Sequence, residues 1–71
     1  MELSERIAGW RKWKGLTQTA LAGELDLTPS AITMWESGAA TPSVKHLGMF
    51  VDAIGISMER FYGRVPKAKA A

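Results

Sequence analysis

Side chains that could make or break covalent bonds are scarce in this 71-residue sequence. His46 is its single histidine, cysteine is absent, and no carboxylates cluster near His46, so no metal-ligand set is at hand. The serines fall at helix starts or on polar faces, with no histidine placed to activate a hydroxyl. No glycine-rich phosphate loop follows a strand, because no segment reads as a strand. No enzymatic activity and no cofactor are expected. What remains is non-covalent chemistry. Pro29, Ser30, Thr33 and Met34 share one side of a predicted helix whose other side carries Ile32 and Trp35. The two hydroxyls offer single hydrogen bonds, and the proline ring and thioether offer apolar contact. Gln18 stands in the first turn of another predicted helix, where a side-chain amide and free backbone N–H groups can together hold a phosphate.

These residues are positioned by the stretch Leu16 to Gly38, which reads as two short helices joined by a tight turn. Thr17 suits the N-cap of the first, with Leu16 and Leu21 as a hydrophobic staple. Thr28 caps the second, and Pro29 takes the first helical position, where a missing N–H costs nothing. Leu27 and Ile32 form a second staple. Asp26 occupies the turn where a left-handed residue is needed, which aspartate tolerates better than most. Leu21, Ala22, Leu25, Leu27, Ile32 and Trp35 then close both helices on a shared core, with small Ala22 at their crossing. Gly38 ends the second helix. The pattern is that of a helix-turn-helix.

Around it, a first helix is predicted from about Glu2 or Leu3 to Lys14, with Leu3, Ile7 and Trp10 as its apolar stripe. Gly9 in mid-helix costs roughly 1 kcal/mol against alanine, and room for a neighbouring helix is the expected compensation. Trp13 lies off the stripe and reads as a half-exposed ring over the core edge, with a partner-binding anchor as the alternative. Ser43 caps a fourth helix whose buried face is expected to be Val44, Leu47, Phe50, Val51 and Ile54, ended by Gly55. His46 is expected to face solvent. Ser57 caps a last short helix stopped by Gly63, and Met58, Phe61 and Tyr62 on it are the expected dimer surface. The fold class is therefore all-α, a compact bundle of five short helices with the helix-turn-helix at the second and third.

One core is all this length supports, and its stability should be about 4–10 kcal/mol. Residues 1–63 are expected to form the domain, and 64–71 (RVPKAKAA) a basic, flexible tail. No apolar run approaches the roughly 20 residues that span a bilayer, and Glu2 and Glu5 sit where a signal peptide would be basic. A soluble cytoplasmic, nucleoid-associated protein without a membrane partner is expected. The net charge of +2 leans towards a polyanionic partner, but unevenly. Arg11, Lys12 and Lys14 form one basic cluster, and Arg60, Arg64, Lys67 and Lys69 another. Between Gly15 and Glu59, Lys45 is the only lysine or arginine, so the helix-turn-helix itself is mildly acidic.

Arg11, Gly15-Leu16-Thr17-Gln18, Leu21-Ala22, Ile32, Trp35-Glu36-Ser37-Gly38, Pro42 and Ile54-Gly55-Ile56-Ser57 follow one another at intervals that resemble the Cro/lambda-repressor-like (Xre-type) DNA-binding domains. The resemblance covers Arg6 to Gly63. It implies double-stranded DNA as partner, a homodimer on two half-sites, and the third helix in the major groove. Pro29, Ser30, Thr33 and Met34 would then contact bases, and Thr17, Gln18, Thr28, Ser37 and Lys45 phosphates, with Lys12, Lys14 and the tail as further charge donors. It also implies an Arg11–Glu36 pair orienting the third helix. The chain departs from the family in having no Arg, Lys, Gln or Asn on the base-facing side, so bidentate contacts to guanine or adenine are missing. Ala39-Ala40 also stands where relatives are often basic. Modest specificity and a shallow salt dependence follow. With about four to six phosphate contacts per dimer, log K should fall against log salt with a slope of about −4 to −5. Phage Cro-like repressors, restriction–modification controllers and autoregulating antitoxins fit this size. A small transcriptional regulator is expected, and the alternative is an antitoxin-like module whose main partner is a protein.

Overall fold

Helix starts in this chain are set by side chains that accept from amides left without an intrahelical partner. In the computed structural model, which describes residues 1–67, Thr17 Oγ1 accepts from Ala20 N at 3.0 Å and Thr28 Oγ1 from Ala31 N at 3.3 Å. Ser43 Oγ accepts from His46 N at 3.1 Å, and Ser57 Oγ from Arg60 N at 3.0 Å. At the first helix, Glu5 Oε1 accepts from Glu2 N at 3.1 Å. These starts open α1 (Leu3–Lys14), α2 (Gln18–Glu24), α3 (Pro29–Ser37), α4 (Val44–Ile54) and α5 (Met58–Phe61). There are no strands among the described residues.

Between α2 and α3 the chain reverses through Asp26, which has φ 56° and is the sole non-glycine residue with positive φ among those described. Leu27 N closes the turn by donating to Ala22 O at 2.8 Å. α3 ends at Gly38 with φ 84°, a left-handed conformation in which a Cβ would be strained.

The core joins Ile7 and Trp10 of α1 to Leu21 and Ala22 of α2, Ile32 and Trp35 of α3, and Leu47, Phe50, Val51 and Ile54 of α4, with Leu25 and Phe61 closing it. α3 therefore packs on both α1 and α2, and its rotation about its own axis is fixed by Ile32 and Trp35 from behind. Trp13 is half-buried, packs against this core and meets Trp10 edge-on at 5.2 Å between ring centres, as a covering ring would.

Several expectations need correction. Val44 keeps the register of the α4 face but is 87% exposed, since as the first residue of that helix it lies beyond the side chains that cover Leu47. His46 is half-buried, with Nδ1 2.9 Å from Ser43 Oγ and its ring 6.0 Å from that of Trp35. The room at Gly9 serves no helix. Val65 fills it, with Cγ1 2.8 Å from where a Cβ on Gly9 would stand. Phe61 is fully buried, edge-on to Phe50 at 5.8 Å, so it is withdrawn from any outer surface and leaves Met58 and Tyr62 exposed there. The basic segment after Gly63 is described as far as Lys67, while Lys69 and the end of the expected tail lie outside the described residues.

Candidate nucleic-acid interface

The outward side of α3 is formed by Pro29, Ser30, Thr33 and Met34, all exposed. Met34 keeps 45% of its surface in solvent although its neighbour Trp35 is buried. An exposed methionine beside a buried tryptophan is what the helical rotation dictates once Ile32 and Trp35 are anchored. The Ser30 hydroxyl makes no hydrogen bond to the described residues. Thr33 does, and its partners matter. Its hydroxyl donates towards Gln18 Oε1 at 3.0 Å and towards Pro29 O at 3.1 Å.

Behind this face a polar network ties three helices together. Arg11 of α1 holds Glu36 of α3 in a two-bond grip, Nε to Oε2 at 2.5 Å and a terminal nitrogen to Oε1 at 3.0 Å. The two side chains are only 12% and 10% exposed. The same guanidinium donates to Leu16 O at 2.9 Å, reaching the segment that leads into α2. Gln18 completes the network from α2, its Nε2 donating to Glu36 Oε1 at 3.1 Å. Glu36 thus receives α1 and α2 at once. The planar fork of arginine matches a carboxylate in one orientation only, so the pair fixes direction as well as distance.

The candidate phosphate residues are more scattered. Thr17 and Thr28 are exposed, each with its hydroxyl in a helix cap. Ser37 Oγ donates to Met34 O at 3.2 Å and accepts from Ala39 N at 3.3 Å, which makes it part of the turn after α3. Lys45 is exposed in the first turn of α4. Gln18 alone of this group reaches across from another helix to side chains of α3, and its role as a bridge between Glu36 and Thr33 was not legible beforehand. The residue types are complementary, but only the crossing of α2 on α3 brings them together.

A helix-turn-helix family profile matches residues 7–61, from the middle of α1 to the end of α5. The chain belongs to the Xre/Cro-like helix-turn-helix family. It is a family of transcriptional regulators, not of enzymes, and repressors are among its members. The chain is 33% identical over 64 residues to the cryptic phage CTXphi transcriptional repressor RstR of Vibrio cholerae, covering 90% of this chain and 57% of that one. It is 38% identical over 58 residues to human endothelial differentiation-related factor 1, covering 82% and 39% respectively. It therefore spans little more than half of the first relative and less than half of the second. Among solved structures, the solution structure of the DNA-binding domain of the P22 C2 repressor superposes with a TM-score of 0.84 at 25% identity, over 93% of this chain and 88% of that one. The crystal structure of SinR in complex with DNA shares the fold, with a TM-score of 0.77 at 24% identity over 87% of this chain and all of that one. No helix among the described residues is long and apolar enough to cross a membrane.

Proposed function

We propose that the chain regulates transcription by laying α3 in the major groove of double-stranded DNA, with Pro29, Ser30, Thr33 and Met34 against the base edges. Two copies would occupy an operator with half-sites about one helical turn apart. Gln18 and Lys45, with Thr17, Thr28 and Ser37, would hold phosphates on either side of the groove. The observation that supports this reading most is the division of α3 itself. Four adjacent exposed residues face outward, while Ile32 and Trp35 behind them are buried and Glu36 is fixed to α1 and α2. Such a helix can present a rigid reading face without disturbing the core.

Two hydroxyls, a proline and a methionine make an undemanding reader, selective for methyl groups and single donors or acceptors more than for guanine. Selection of binding sites from a random duplex pool, followed by fluorescence anisotropy, tests this. Submicromolar binding that survives competitor DNA is expected. Salt-labile binding with no preferred sequence would overturn the proposal. Ser30→Ala combined with Met34→Ala should change the preferred bases while leaving the melting temperature within a few degrees, since both side chains are exposed.

A further inference from the structure

Resting on that reading of α3, we propose that Thr33 reads its base as a hydrogen-bond acceptor only, selecting the exocyclic amino group of adenine or cytosine. A threonine hydroxyl has one proton and two lone pairs, and in water it can serve as donor or acceptor to any base edge. In this fold the choice is removed. Both protein atoms within reach of Thr33 Oγ1 are acceptors that carry no proton, Gln18 Oε1 at 3.0 Å and the Pro29 carbonyl at 3.1 Å. Whichever of them takes the hydroxyl proton, it points back into the protein.

An amide can lie in either of two orientations, and that of Gln18 is fixed by its other partner. Glu36 Oε1 already accepts from Arg11 and can only accept from Gln18, so the amide nitrogen faces Glu36 and the amide oxygen faces Thr33. The polarity therefore runs in one direction, from Arg11 through Glu36 and Gln18 to Thr33. Thr33 is left with only the lone pairs of its hydroxyl to offer a base. Ser30, one turn earlier on the same face, has no such commitment and remains free to donate or accept. Two hydroxyls that look equivalent by residue type are thus different readers.

Every base pair carries both donors and acceptors, so the test deletes single atoms from the bases. Using the full chain and its selected duplex, Thr33→Val keeps the branched shape, removes the hydroxyl and identifies the base pair whose preference depends on it. At that pair, adenine or cytosine is replaced by its analogue lacking the exocyclic amine, and in a separate duplex the purine is replaced by a deaza analogue lacking N7. Loss of the amine should weaken binding by the unmodified protein about fivefold and leave the Thr33→Val protein unchanged, while loss of N7 affects neither. The inference is overturned if loss of N7 weakens binding and loss of the amine does not, or if no base pair responds to Thr33→Val although a preferred site exists. Absence of any preferred site would instead bring down the placement of α3 in the groove.

Discussion

The two faces of α1 are held by the same residue type in opposite ways. On one face Arg11 grips the Glu36 carboxylate, a charged side chain on α3, and through it Gln18 of α2. On the other, Arg6 donates to two main-chain carbonyls at the end of α5, Gly63 O at 2.5 Å and Phe61 O at 3.2 Å, and Trp10 Nε1 adds a bond to Phe61 O at 3.0 Å. The first face joins α1 to the helix proposed to meet DNA, and the second ties down the end of the domain. A side-chain carboxylate imposes direction and a charge partner. Carbonyls at a helix end need only a donor within reach. One arginine orients while the other fastens, so removing them should damage different properties.

The largest effects are expected at the apolar supports of the two faces. Trp35→Ala and Trp10→Ala should each cost about 3–5 kcal/mol, enough to unfold a domain of this size at physiological temperature, as circular dichroism melting would show. Equal melting temperatures for either variant and the parent would discredit the placement of these rings in the core. Next comes Glu36→Ala, which leaves the Arg11 guanidinium without its carboxylate and should cost about 2–3 kcal/mol in urea unfolding. The paired replacement Arg11→Met with Glu36→Leu should recover most of that loss yet still bind DNA more weakly, because the apolar pair does not direct Gln18. If the paired variant binds as the parent does, the orienting role falls. Arg6→Met should cost about 1–2 kcal/mol with DNA affinity unchanged once the protein is folded. A drop in affinity at constant stability would instead make the two arginines alike. The smallest effect is expected at Gly9→Ala, where the gain in helix propensity, about 1 kcal/mol, is offset by displacement of Val65. In a Val65→Ala background the same substitution should raise the urea midpoint, and an unchanged midpoint would refute the contact.

This contrast also explains what could be seen in the sequence. Caps, staples and the left-handed turn at Asp26 are decided within a few residues by side-chain type, and α2 to α5 follow from them, while α1 was legible from the spacing of Leu3, Ile7 and Trp10. The exposed side of α3 was equally legible, because Ile32 and Trp35 fix its rotation. The Arg11–Glu36 contact came only through family resemblance, since nothing in a spacing of 25 residues makes two charges meet. The burial of Trp10 was legible from its place on the apolar stripe of α1, but the bonds of Arg6 and Trp10 to main-chain carbonyls gave no signal, because a carbonyl acceptor has no residue identity. Phe61 was misplaced for a related reason. A four-residue helix carries too little periodicity to tell its inner side from its outer. Val44 shows the converse, a correct period with nothing over it. Gln18 and Thr33 depend on how α2 crosses α3, which is a tertiary property.

The seat of Val65 on Gly9 has a practical side. Residues 9 and 11 lie about 200° apart around an α-helix, so the chain departs from the bundle on nearly the opposite flank of α1 from Glu36. A fluorophore or affinity handle attached at Lys67 would therefore start from the flank of α1 away from Glu36, on the far side of the bundle from the duplex in the proposed placement of α3.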